Sequence, residues 1–175
     1  MIGKKMQAAI NEQIKEELGS AHLYLSMAAY FHSKGFDGMG HWMRCQTQEE
    51  MMHAMKLYDH LVERDGRVEL LGLDQPRTAW KSPLEAFQEA YEHEQHITGR
   101  INDLVSIAAK ENDNASAAML QWFVTEQVEE EASTSKVAQD LAIVGDSGHG
   151  LLMLDRELAA RLPLVTLPTA EGGTA

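Results

Sequence analysis

Gln48-Glu49-Glu50-Met51-Met52-His53 lies in the middle of a long helical pattern, and its reading decides the fold. Glu50 and His53 are three residues apart, so on a helix they project from one face, one turn apart, and can ligate a single metal ion. Such a pair alone is weak evidence, because Glu and His at this spacing occur by chance on many solvated helices. Its meaning depends on where the other carboxylates fall.

To the N-terminal side, Met6, Ile10, Ile14, Glu17, Ala21, Leu25 and Ala28 recur at steps of three and four, which predicts a helix from about Lys4 to Ser33, closed by Gly35. The helix that carries Glu50 is expected from Asp37, as N-cap, to about Asp65. Met39, Met43, Gln46, Glu50, His53, Leu57 and Leu61 share one face, and Gly66 stops it. Only a tight turn separates these two helices, so they are antiparallel. The connection from Gly66 to Lys81 has no sustained period; extended at ~3.3 Å per residue it spans roughly 50 Å, the length of a bundle.

Ser82-Pro83-Leu84-Glu85 combines a Ser N-cap, Pro at the first helical position and Glu at the third, and opens a third helix that runs to about Glu111. Leu84, Phe87, Tyr91, Glu94, Ile101, Val105 and Ala108 form its face. After Asn112-Asp113, Asn114 is placed as the cap of a fourth helix with Met119, Phe123, Gln127, Glu130, Val137 and Leu141 inward, stopping at Gly145. A shorter fifth helix is expected from His149 to Leu162. The predicted architecture is all-α: a four-helix bundle with one long crossover, as in ferritin-like folds, and a short fifth C-terminal helix. The cytokine-like arrangement needs two long connections. Residues 1–162 form the expected single domain, and 163–175 an irregular tail.

Composition agrees with helix and narrows the function. The 27 acidic residues against 15 Lys and Arg give a net charge of −12, which excludes the basic footprint of a nucleic-acid binder and suits cations. The one cysteine, Cys45, excludes an internal disulfide framework and a thiolate zinc site, and fits a reducing compartment. No apolar run follows Lys4 and Lys5, so neither a signal peptide nor a membrane span is expected, and a cytoplasmic location is.

Each long apolar stripe is interrupted near its midpoint by a carboxylate: Glu17, Glu50, Glu94 and Glu130. Midpoints of packed helices about 40 Å long lie at one level, so these four and His53 converge. Buried carboxylates repel unless protonated or neutralised, and Lys15, Lys56 and Arg100 fall off the stripes. Metal is the remaining neutraliser. Four carboxylates against one imidazole fit two ions better than one, and oxygen-rich ligation suits iron or manganese.

Glu17, Glu50-x-x-His53, Glu94 and Glu126-Gln127-x-x-Glu130 resemble the bacterial non-haem ferritins, as do Gln48–Met51, Tyr91–Gln95, Leu120-Gln121-Trp122 and Gly148–Leu151, over nearly the whole chain to about Leu162. The resemblance implies a ferroxidase centre. Glu17, Glu50 and His53 would hold one iron, Glu50 would bridge to a second held by Glu94 and Glu130, and Gln127 would lie beside the pair. Glu49, Glu126, Glu129 and Glu130 correspond to a third iron site, and Tyr24 to a tyrosine near the centre that supplies an electron. The resemblance further implies Fe(II) and O2 or H2O2 as reactants, Fe(III) mineral as product, and a homo-oligomeric cage of about twenty-four chains.

Bacterioferritin is a rival, since Met51 stands where that family supplies a haem ligand. Those centres use a second Glu-x-x-His, however, whereas the fourth helix here offers Gln127 and Glu130, so haem is not expected. From another class, a metal-free helical interaction module predicts no iron uptake. Rubrerythrin-like peroxidases need a Cys-rich iron domain, and mini-ferritins build their centre between subunits; neither fits.

Overall fold

A computed structural model of the chain describes residues 1–165. It contains α1 (Lys4–Ser33), α2 (Asp37–Glu63), α3 (Pro83–Glu111), α4 (Asn114–Val144) and α5 (Gly148–Leu158), with no strand among the described residues. The all-α bundle with one crossover and a fifth short helix is what the periodicity predicts. Most of the expected tail, including Pro168, Gly172 and Gly173, lies outside the described residues.

The turns explain the topology. Gly35, at φ +79°, takes the left-handed conformation that ends α1, and Phe36 N–H donates back to the Phe31 carbonyl at 3.0 Å. The chain reverses into α2, whose end returns to the start of α1, where Ile2 N–H donates to the Arg64 carbonyl. The crossover then retraces α1. Asn11 clamps it at both ends of its amide, donating to the Arg67 carbonyl at 3.0 Å and accepting from Glu69 N–H at 2.9 Å. Farther along, Ser26 Oγ donates to the Arg77 carbonyl, and Arg77 pairs with Glu85 and Glu89 at the start of α3. The Ser82 hydroxyl accepts from Glu85 N–H as the capping box requires.

Four expectations are corrected. Asp37 and Asn114 are first helical residues, not caps; Phe36 precedes α2, and Asp113 caps α4 by accepting from Ser116 N–H at 3.1 Å. Asp113 also accepts from Arg64, which ties the end of α2 to the α3–α4 turn. Leu25, placed on the buried stripe, is 51% exposed, because Tyr24 takes the inward position at that level. The fifth helix ends at Leu158 rather than Leu162, and the chain from Ala159 onward turns back over α2.

The hairpins α1–α2 and α3–α4 pack together, and α5 lies against α2 and α4. Two apolar clusters fill the bundle. One holds Tyr24, Phe31, Met43, Phe87 and Leu141; the other holds Ile10, Ile14, Leu57, Ile101 and Phe123. Between them every long helix contributes a polar layer: Gln13 and Glu17, Gln46, Glu50 and His53, Glu94, then Gln127 and Glu130.

Candidate metal centre

None of Glu17, Glu50, His53, Glu94 and Glu130 is more than 4% exposed. Their placement follows from the helical period, since each occupies an apolar-stripe position at the bundle's waist. That burial excludes a solvated helix face for the Glu50–His53 pair and for the other three acids.

The side chains fall into two groups whose candidate ligand atoms lie within 4.8 Å of one another: Glu17, Glu50 and His53, then His53, Glu126 and Glu130. His53 belongs to both. Its Nδ1 lies 3.3 Å from Glu50 Oε2, while its Nε2 is buried without a partner. Glu17 accepts from Gln13 Nε2 at 3.0 Å on Oε1, and its Oε2 is also buried and unpartnered. Glu130 accepts from Gln46 Nε2 at 2.8 Å, leaving Gln46 Oε1 unpartnered. Unpaired buried acceptors are costly and rare, and here three lie in one layer. Oxygens and an imidazole nitrogen of this kind are the donor set of iron or manganese, so the residues fit such an ion.

Glu94 is outside both groups. Tyr24 donates its hydroxyl to Oε1, and Gln127 Nε2 donates to Oε2 at 3.2 Å and to the Glu94 carbonyl at 3.3 Å. Tyr24 and Gln127 therefore hold this carboxylate in place. Glu126 is half-buried beside Glu130, and Glu129 is exposed. Glu49 is turned to Arg161, whose Nη2 donates to its Oε2 at 2.5 Å.

The convergence shifts the titration of these groups. Burial pushes the Glu17 carboxyl up to about 7 and the Glu130 carboxyl up to about 8, against an ordinary value near 4.5. Glu50 is raised well above that range by burial and then by the charges of Glu94, Glu17 and Glu130. Burial lowers His53 to about 4, so its imidazole is neutral and can act as a ligand.

Sequence reasoning missed three participants. Gln13 and Gln46 stand four residues before Glu17 and Glu50; Gln46 is on the expected inward stripe but carries no assigned role there, and the same spacing could have marked Gln13. Arg161 falls within the expected fifth helix, which ends at Leu158, and nothing in that pattern marks it as a partner of Glu49. Of the basic residues judged off the stripes, Lys56 lies over the Trp122 ring at 4.6 Å, and Arg100 Nε donates to Gln13 Oε1 at 3.4 Å, one step from Glu17.

The Ferritin-like domain family matches residues 7–144. The chain belongs to the ferritin family. A bacterial non-heme ferritin of Bacteroides fragilis (strain 638R) is 44% identical over 161 residues, 92% of this chain and 100% of that protein. Another, from Campylobacter jejuni subsp. jejuni serotype O:2, is 39% identical over 156 residues, 89% of this chain and 93% of the relative. The open-pore ferritin of the archaeon Archaeoglobus fulgidus superposes with a TM-score of 0.92 at 50% identity, covering 93% of this chain and 100% of that one. Among the described residues of this ferritin, no helix is long and apolar enough to cross a membrane.

Proposed function

We propose that this ferritin stores iron by oxidising Fe(II) at a pair of metal positions inside each subunit and retaining the Fe(III) mineral within a closed cytoplasmic cage of about twenty-four chains. The observation that carries the reading is the layer of four buried carboxylates and a neutral His53, with Glu17 Oε2 and His53 Nε2 buried and without a protein partner. Glu17, Glu50 and His53 form the first position. Glu50 would be shared with a second position that Glu94 and Glu130 would complete, with Tyr24 and Gln127 orienting Glu94. Glu49, Glu126, Glu129 and Glu130 would form a third, outer position, a reading supported by the approach of Glu126 to Glu130 in the group they share with His53.

Two ferrous ions give one electron each, which together reduce O2 to H2O2 with uptake of two protons, or H2O2 to water. The chain supplies carboxylates that lose their protons as the metal charge enters, and that then stabilise the added ferric charge. The hydrogen bond from the Tyr24 hydroxyl to Glu94 supports the reading of Tyr24 as a residue of the centre. The exposed Leu152 and Met153 on α5 leave apolar surface for neighbouring subunits around a symmetry axis.

Aerobic Fe(II) added to the purified protein turns it amber, and Glu50→Ala slows the initial rate of that absorbance change by at least about tenfold, since a bridging carboxylate is lost from both positions. Equal initial rates in variant and parent would overturn the assignment.

A further inference from the structure

One histidine beside the metal layer takes no part in it. His93 precedes Glu94 on α3 and packs against two residues of α1, Ser20 and Tyr24, which stand four apart and share one face of that helix. The buried Ser20 hydroxyl donates to the Glu16 carbonyl at 3.0 Å and meets His93 Nε2 at 2.7 Å; with its one proton committed to the carbonyl, the oxygen accepts and Nε2 donates. The His93 ring meets the Tyr24 ring edge-on, with centroids 6.0 Å apart and planes at 88°. His93 also borders a cavity of about 240 Å³ between α1 and the crossover, lined by Gly19, Leu23, Asp74 and Pro76, and a Cβ on Gly19 would meet nothing within 4 Å. Packing on that side does not fix the imidazole. The hydrogen bond to Ser20 does.

Tyr24 is thus gripped twice from α3: its hydroxyl donates to Glu94, and its ring lies against the residue just before it, His93. The two grips are linked by the chemistry of a phenol. The second side-chain torsion of tyrosine is broad, and the O–H, conjugated with the ring, lies in the ring plane, so turning the ring carries the proton away from its acceptor. A neighbour that fixes the ring plane therefore aims the proton. We propose that His93, latched by Ser20, is a positioning residue for Tyr24, setting the plane of its ring and so directing the phenolic O–H at Glu94. This rests on the reading of the layer as a metal centre with Tyr24 as part of it. The imidazole belongs to neither group of candidate metal ligands, so it acts through Tyr24.

A double-mutant cycle on the assembled protein tests it, with the parent, Ser20→Ala, Tyr24→Phe and the two substitutions together. Isothermal titration of metal-free protein with Zn(II), a redox-inert probe, counts bound ions, and stopped-flow absorbance reads the first aerobic turnover of Fe(II). Zn(II) uptake is the same in all four, because no ligand is removed. Ser20→Ala frees the imidazole and slows the first turnover by about threefold. Tyr24→Phe slows it further, and adding Ser20→Ala to Tyr24→Phe changes nothing more, since the proton that His93 aims is already gone. His93→Leu, which removes the latch and the ring contact together, is a second arm: it slows the parent more than Ser20→Ala does and is equally silent beside Tyr24→Phe. Losses that multiply in the double variants, or parent-like rates in both Ser20→Ala and His93→Leu, would overturn the positioning role and leave the metal centre standing. A parent that neither holds Zn(II) nor oxidises Fe(II) would overturn the metal-centre reading and this inference with it.

Discussion

Tyr24 shows how a single hydroxyl separates packing from function. It is fully buried, its ring meets His93 edge-on with centroids 6.0 Å apart, and its hydroxyl donates to Glu94. If the ring alone mattered, phenylalanine would serve. Since Glu94 has only Tyr24 and Gln127 to satisfy its oxygens, Tyr24→Phe strands one buried acceptor, a loss of about 1–3 kcal/mol in the metal-free protein. Denaturant unfolding of the variant reads that loss, and a neutral result would return Tyr24 to the core. Iron oxidation in the same variant slows while the number of bound ions stays that of the parent, because no ligand has been removed. Gln13 and Gln46 act in the same manner on Glu17 and Glu130: each fixes one carboxylate oxygen and leaves the rest of the group aimed at the layer.

At the scale of elements, α5 is docked by a contact that tolerates no side chain. A Cβ on Gly38 would lie 1.7 Å from the Asp155 carbonyl oxygen, and the obstacle is backbone that cannot swing aside. Asp155 in turn accepts Met39 N–H at 2.8 Å, serving the start of α2, where Phe36 has no capping side chain. Gly38→Ala therefore displaces α5 and uncaps α2, lowering stability by about 1–3 kcal/mol; calorimetry of the variant reads the loss, and native mass spectrometry reads any shift from cage to smaller species. An unchanged melting temperature would show that α5 is not seated as described. The long helices were legible because a 3.6-residue stripe needs only composition and order, and the capping box at Ser82 needs only local chemistry. The four acids were legible for the same reason, since they break stripes at matched depth. Neither Gly38 nor Arg161 could be read this way. What each does depends on a segment more than a hundred residues away in sequence, and the early end of α5 at Leu158 belongs to the same long-range event, the crossing of the chain after α5 to Gln48 and Glu49. The caps at Asp113 and Phe36 differ from expectation by one residue, the ordinary latitude of helix ends.

For the molecule as a whole, two apolar cores are separated by a layer of acids, and the stability of the metal-free protein must register that layer as a pH dependence. Glu17 is raised to about 7 and Glu130 to about 8, with Glu50 and Glu94 raised as well, so the folded chain keeps protons that the unfolded chain has already lost above 4.5. Where the folded state binds more protons, stability falls as pH rises. The histidines run the other way: His53 and His93 are lowered to about 4 from 6.5, so between those values the unfolded chain binds more protons and stability rises with pH. Below 6.5 the two trends oppose one another. Above 6.5 the unfolded imidazoles shed their remaining protons within about one pH unit, and the raised carboxyls outweigh them, Glu17 titrating at about 7 and Glu130 at about 8. The melting temperature of metal-free protein accordingly drops from pH 6.5 to pH 8, and saturating Zn(II) abolishes the drop by replacing the protons with a bound cation. Differential scanning calorimetry at the two pH values, with and without Zn(II), checks both parts. A melting temperature that rose over this interval without metal would mean that the four carboxyls are already ionised, and that a cation within the chain balances them.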